Sequence, residues 1–321
     1  MDLKIKNMPK IELHMHLDGS VPIQTLCNLS HLNESEVMNK INGNFTNLSD
    51  YLKSFDFILQ YMQTKEELEQ ISYDVACNLK KQNVIYAEIR FAPILHTRKG
   101  LSYDEIIDAI LNGIKKCTGI KLNLILCLMR GESYFNNLMT IYSAKKYLNH
   151  GVGGIDLAGD ETNYSFDLYK PLFEVALENN IPVTIHAGET LQDDLYKVTS
   201  FTKRIGHGIK AYDNPKIIKE IIKNNILLEI CPKSNVDTKN VSCYEKHPIQ
   251  SFINSGIKVS INTDNDTVSN ISLTDEYLNL SKYFHLTLND FKKINLDTID
   301  YCFISEDEKE KLREKIKNYH W

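Results

Sequence analysis

His14 and His16 stand one residue apart in the largely apolar run Lys10-Ile11-Glu12-Leu13-His14-Met15-His16, which Asp18 and Gly19 close. Alternate residues of a strand share a face, so both imidazoles point the same way and can bind one metal ion. Elsewhere the chain repeats the design, an apolar run ending in titratable groups: Asp156-Leu157-Ala158-Gly159-Asp160-Glu161, His186-Ala187-Gly188-Glu189, His207-Gly208 and Thr263-Asp264-Asn265-Asp266. A catalytic zinc site needs three or more nitrogen, sulfur or oxygen donors and a position left for water. His14, His16, His186 and Asp264 meet that demand and leave Glu189 and His207 for acid-base work. Taken singly, His186 also reads as a core histidine bonded to a backbone carbonyl, and Asp264 as a helix N-cap. The small residues Ala187 and Gly188, the acid that follows them and the count of three histidines favour the ligand reading.

The apolar patterning supplies the elements that must carry these groups. Eight short runs read as strands, at 10–16, 84–91, 122–129, 154–158, 182–186, 204–206, 226–231 and 258–262. Helical spacing lies between them over 103–117, 133–148, 166–179 and 215–223. Gly119, Gly151, Asn180 and Asn225 stand where helices stop, and Pro215 where one starts. Strands alternating with helices predict an α/β fold with a parallel sheet. Eight of them, with no Gly-x-Gly-x-x-Gly after the first, favour a TIM-type (β/α)8 barrel over an open doubly wound sheet. In such a barrel the chemistry sits at the C-terminal ends of the strands, where all the groups above fall.

Residues 21–83 are too many for an ordinary strand-to-helix loop, so they are expected to form a helical insertion lying over one barrel mouth as a lid. Beyond Asp264 the chain reads as extra C-terminal helices, with the acidic-basic run from Ser305 to Lys311 as a capped, solvated helix. No linker, repeat or low-complexity tract divides the sequence, so residues 1–321 are expected to be a single barrel domain. Glu88 and Arg90 alternate on the second strand and are expected to pair in the interior.

The chain has 321 residues, 42% hydrophobic and 25% charged, with a formal net charge of −5. No basic tail or dense Lys/Arg patch speaks for nucleic acid or an anionic membrane, and no apolar stretch approaches a membrane span. Seven scattered cysteines without a Cys-x-x-Cys pair, and an N-terminus without a signal-like apolar run, point to a cytoplasmic protein with reduced thiols. A small-molecule partner is expected.

Six motifs then stand in the order seen in adenosine deaminases: the segment around His14 and His16, the Asp156 to Glu161 run, His186-Ala187-Gly188-Glu189, Arg204-Ile205-Gly206-His207-Gly208, Cys231-Pro232-Lys233-Ser234-Asn235-Val236 and Asn262-Thr263-Asp264. The chain thus resembles that family of zinc-dependent barrels along most of its length. Cytidine-type deaminases use a Cys-x-x-Cys pair, which is absent. The resemblance implies one Zn2+ per chain on His14, His16, His186 and Asp264, and a purine nucleoside substrate. Glu189 would protonate purine N1, and His207 would orient or deprotonate the attacking water.

By the same resemblance Gly159 N–H would face purine N3 and Asp18 the ribose 5′-hydroxyl, with His16 beside the substrate. Leu52 and Phe55 are similar to an apolar gate in the family, although an ordinary helix face packed on the barrel would read the same. The family has paired aspartates after the eighth strand, whereas here Asn265 follows Asp264. An Asn amide donates to the N7 acceptor at any ordinary pH, whereas a carboxyl donates only when protonated. Hydrolytic deamination of adenosine, and of 2′-deoxyadenosine, is the leading expectation. A deaminase of adenine or of N6-substituted or phosphorylated adenosine is the alternative, and a non-catalytic zinc or nucleoside binder comes last.

Overall fold

A computed structural model describes residues 1–41 and 54–320. Among these, eight strands follow one another: β1 Lys10–His16, β2 Val84–Phe91, β3 Lys121–Met129, β4 Val152–Ala158, β5 Ile185–Ala187, β6 Arg204–His207, β7 Leu227–Ile230 and β8 Lys258–Ile261. Each pairs in parallel with the next, in two runs, β1-β2-β3-β4 and β5-β6-β7-β8. The runs meet at both seams. Ile155 bridges Val183 between β4 and the approach to β5, and Met15 bridges Asp264 between β1 and the end of β8. Backbone bonds hold the second seam, His16 N–H to Asp264 O at 2.7 Å and Asp264 N–H to His14 O at 2.9 Å. The eight strands therefore run round in chain order, as the alternating pattern predicts, and every strand end named above opens on one face.

Helices on the outside follow from local chemistry. The helix Tyr103–Lys116 starts at a reciprocal Ser102–Glu105 cap and buries Ile106, Ile110 and Ile114, four residues apart on one face. The helix Pro215–Lys223 begins at Asn214, whose side chain accepts from Lys216 and Ile217 N–H, and buries Ile217 and Ile221. Asn225 beyond it lies at φ 50°, the left-handed turn that ends the run. Two expectations are corrected. Residues 166–179 do not form one helix: a short turn, Phe166–Leu168, precedes the helix Lys170–Glu178, where Pro171 cannot donate a backbone N–H. The fifth strand is Ile185–Ala187, its forward part reduced to the Val183 bridge beside Pro182.

Between β1 and β2 the described residues carry the helices Ile23–Ser30, Glu34–Ile41, Phe55–Leu59 and Lys65–Lys81. Leu52 lies outside the described residues. After β8 come Leu273–Phe284, Leu288–Ile299 and Glu306–Lys317, the last capped by Ser305 and Glu308. No helix among the described residues is long and apolar enough to cross a membrane.

The apolar core lies between the strands and their helices, while the barrel interior is ionic. Arg90 on β2 pairs with Asp156 on β4 at 2.9 Å and with Glu229 on β7 at 2.8 Å. Glu88 does not pair with Arg90: its partner is Arg204 on β6, which also meets Glu229 at 2.7 Å. Glu88 and Arg90 point the same way from one strand, but each is taken by oppositely charged groups across the barrel, and Tyr86 Oη donates to Glu88 at 2.7 Å. Removing such charges from water is costly, and only this mutual pairing offsets it.

Candidate active site

The ionic interior supports the metal-ligating candidates from below. His14 Nδ1 lies 2.9 Å from Glu229 Oε2, and His186 Nδ1 lies 2.7 Å from Asp156 Oδ2. For His14 this is a hydrogen bond that fixes the proton on Nδ1 and turns the Nε2 lone pair outward, the arrangement usual behind a metal-bound imidazole; for His186 it is a close charge contact without hydrogen-bond alignment. His14 Nε2 is buried and has no hydrogen-bond partner. It faces Asp264 Oδ1 at 3.4 Å, and so does His16 Nε2, also at 3.4 Å. His16 Nε2 lies 3.3 Å from His186 Nε2. One donor atom from each of His14, His16, His186 and Asp264 falls within 4.8 Å of the others, so the four residues suit a single metal ion.

Asp264 is not a helix cap. Its Oδ2 accepts from Ser234 Oγ at 2.6 Å, and its backbone is held at φ 64°. His207 is at φ 61°. Positive φ is costly for residues with side chains, and here it turns two of them sharply inward at strand ends.

Glu189 and His207 stand across from this cluster. His207 Nε2 is 3.8 Å from Glu189 Oε2 and 4.0 Å from Asp264 Oδ2. Burial, then the negative charges of Asp264 and Glu161, push the Glu189 carboxyl well above its ordinary range. Glu161 also fixes the loop that carries it, accepting from the N–H groups of Gly188 at 2.6 Å, Glu189 at 3.0 Å and Thr190 at 2.9 Å. Burial lowers His207 well below the usual imidazole value, so its ring is neutral.

A cavity of about 250 Å³ opens above these groups, a volume suited to a small molecule rather than a polymer. His16, Asp18, Gly159, Asn265 and Phe55 all line it, together with Glu189 and His207. Gly159 sits at φ 101°, so its backbone faces the cavity in a conformation side-chain-bearing residues avoid. Asp18 Oδ1 and Asn265 Oδ1 are buried without partners. Burial pushes the Asp18 carboxyl up to about 6. Asn265 packs so closely on Gly19 that a Cβ there would fall 1.8 Å from Asn265 Oδ1.

Sequence spacing alone did not single out Glu229, Asp156, Arg90 and Arg204 as the ligands' supports, nor Arg98 and Asp56, which border the cavity from the loop after β2 and the helix Phe55–Leu59. The Asp156 to Glu161 run was a usable signal for one of these carboxylates, Asp156; Arg98 has none, standing among exposed, polar neighbours.

Imidazoles and a carboxylate gathered beside a buried carboxylic acid, at the strand ends of a parallel barrel, are the equipment of a metal-dependent hydrolase. The sequence profile of the adenosine deaminase family matches residues 9–319. The adenosine deaminase of Clostridium acetobutylicum is 39% identical over 98% of this chain and 98% of its own length. That of Enterococcus faecalis is 36% identical over 98% of this chain and 97% of its own. Among solved structures, the apo N6-methyl-AMP deaminase of Arabidopsis thaliana matches with a TM-score of 0.90 at 25% identity, covering 100% of this chain and 99% of that one. The chain belongs to the adenosine deaminase family.

Proposed function

We propose that this protein hydrolyses adenosine, and by the same contacts 2′-deoxyadenosine, to the corresponding inosine and ammonia, with one zinc ion on His14, His16, His186 and Asp264. The observation that carries the reading is the convergence of those four donor groups within 4.8 Å, on a cavity that Glu189 also lines. Zinc bound there would make water acidic enough to attack near neutral pH. The protein's own groups do the rest.

Glu189, kept protonated by burial, gives its proton to purine N1 as water adds at C6. The Asp264 carboxylate accepts a proton from the attacking water and passes it to the exocyclic amine, which leaves as ammonia, while the C6 hydroxyl proton returns to Glu189 and the ring regains its conjugation with the proton kept on N1. His207 acts on the same water from the opposite side. Gly159 N–H meets purine N3, Asp18 the 5′-hydroxyl and Asn265 purine N7, with His16 and Phe55 bordering the base. The described helices between β1 and β2, with Phe55, serve as the lid of a single barrel domain, and the protein works in the cytoplasm.

A spectrophotometric comparison of adenosine, 2′-deoxyadenosine, adenine, AMP and N6-methyl-AMP tests this. Adenosine should give the highest kcat/KM, and a strong chelator should remove the activity that zinc restores. Turnover by metal-free protein, or none with adenosine, defeats the reading.

Arg98 at the cavity wall favours a second reading, a nucleotide substrate whose phosphate it would meet. Asp56 and Asp18, two carboxyl groups that line the same cavity, oppose a phosphate there, so adenosine remains the first choice. N6-methyl-AMP turned over faster than adenosine would reverse that order.

A further inference from the structure

His207 has a second nitrogen, Nδ1, and what it meets bears on the role of the first. Asn235 Nδ2 lies 3.0 Å from it, and the Asn235 amide oxygen lies 3.1 Å from His247 Nε2. The far end of this chain is unambiguous: the backbone N–H of Ile249 donates to His247 Nδ1 at 3.2 Å, and a backbone amide is only ever a donor there. His247 Nδ1 is therefore bare. Burial lowers His247 to about 3, so the ring is neutral and its single proton sits on Nε2. That proton points at Asn235 Oδ1, which sets the amide the right way round, and Asn235 Nδ2 then donates to His207 Nδ1. With Nδ1 accepting, the proton of neutral His207 is on Nε2, the atom facing Glu189 and Asp264. All three side chains are buried, so water does not compete for these bonds.

We propose that Asn235 and His247 are positioning residues that hold His207 as an Nε2–H donor. His207 then orients the attacking water by donating to its oxygen and does not deprotonate it. The water proton goes to the Asp264 carboxylate instead, whose Oδ2 lies 4.0 Å from His207 Nε2 and also accepts from Ser234. This rests on the deaminase reading only for the identity of the water; the proton position is a property of the protein. The relay also accounts for His247, which lies outside every strand-end motif.

Long-range 1H–15N spectra of the zinc-loaded, 15N-histidine-labelled enzyme test the proton position. His207 and His247 should each show a bare Nδ1 and a protonated Nε2, and a proton on His207 Nδ1 overturns the proposal. The spectrum stands even if no purine is turned over. In Asn235→Asp a carboxylate would draw the His207 proton to Nδ1, so kcat should fall about a hundredfold with KM and zinc content unchanged. A retained or raised kcat in a folded Asn235→Asp would mean that Nε2 serves as a base. His247→Gln, which keeps a donor for Asn235, should stay near the native kcat while His247→Leu loses it. Equal losses would reduce His247 to packing.

A separate observation concerns thiols on the outer wall. Cys77, half-buried on the helix Lys65–Lys81, and Cys117, at the end of Tyr103–Lys116, bring their sulfur atoms to 3.5 Å. We infer that this pair is a peroxide-sensitive clamp between the two helices. The Cys77 thiolate attacks a peroxide oxygen, breaking the O–O bond to give a sulfenic acid and water. The Cys117 sulfur then attacks Cys77 sulfur, the S–S bond forms and a second water leaves. Burial pushes the Cys117 thiol up to about 11, which makes Cys77 the first to react.

Hydrogen peroxide should lower the intact mass by two hydrogens, with peptide mapping joining Cys77 to Cys117 and a dithiol reductant reversing it. Cys117→Ser should leave Cys77 as a sulfenic acid or its further oxides. An unchanged mass, or a crosslink between other cysteines, overturns the inference.

Discussion

Glu229 Oε2 stands 2.9 Å from His14 Nδ1 and 2.8 Å from Arg90 Nη2, so one carboxylate both orients a metal-facing imidazole and neutralises a buried guanidinium. Glu229→Gln keeps the shape and removes the charge. Metal affinity should fall about 10–100-fold, the usual cost of losing such a support. Stability should fall by roughly 3–5 kcal/mol, because Arg90 and Arg204 lose a buried counter-charge. Chelator competition and chemical denaturation measure the two, and native metal affinity in the variant would show that Glu229 does not tune His14.

Glu189→Gln separates the acid from the ligands. The variant should retain its metal and bind adenosine, with kcat down by about 100–10,000-fold, since Gln gives no proton to N1. Loss of the metal instead would move Glu189 into the ligand set. The native pH profile carries the same signature. The protonated form is the active one, so kcat/KM should hold below the raised Glu189 pKa and fall as pH climbs through it. A rate that keeps rising into alkaline solution would contradict an acid at this position.

Asn265 is expected to read purine N7. Replacing N7 by C–H leaves the buried amide unsatisfied at a cost of roughly 1–3 kcal/mol, so 7-deazaadenosine should bind more weakly than adenosine. In Asn265→Ala most of that discrimination should vanish. Gly19→Ala should mimic it in part, because the added methyl would occupy the place of Asn265 Oδ1. Unchanged discrimination in Asn265→Ala would pass the role to another group, with Asp266 the first to examine.

Glu276 on the helix Leu273–Phe284 gives a pH test of stability at a carboxyl outside the proposed metal and acid-base groups. Burial pushes its carboxyl up to about 8, although Lys233 N–H and Tyr244 Oη donate to it at 2.8 and 2.9 Å. The folded protein therefore binds this proton more tightly than the unfolded chain. Its contribution is fully present below the ordinary carboxylate pKa and is lost as pH rises to about 8. Glu276→Gln removes the titration, so the Tm of the variant relative to native should climb between pH 5 and pH 9. A constant difference would show that Glu276 titrates normally.

The first two strands were legible to the residue, because His14 and His16 alternate in an apolar run and 84–91 is apolar nearly throughout. β5 was not, since only three residues of it form a regular ladder and Pro182 interrupts its start. The four candidate donors and the pocket-facing Glu189 stood out because each falls at, or within three residues of, the C-terminal end of a strand. The partner of Glu88 could not: Arg204 lies 116 residues away, and no spacing rule links them. His247 was silent for a related reason, standing in irregular chain where its only signal is a contact made after folding.

The charged lattice inside the barrel implies a division of labour. The proposed ligands His14 and His186 lie against Glu229 and Asp156, deep among the strands, whereas Phe55, Asp56 and Arg98 reach the cavity from the connections above. The reacting centre and the selection of what reaches it thus hang on different parts of the chain. The upper segments can therefore change, and with them what the cavity admits, while the lower lattice stays locked by the mutual need of its buried charges. Diversification should consequently be recorded in the connections and conservatism in the strands.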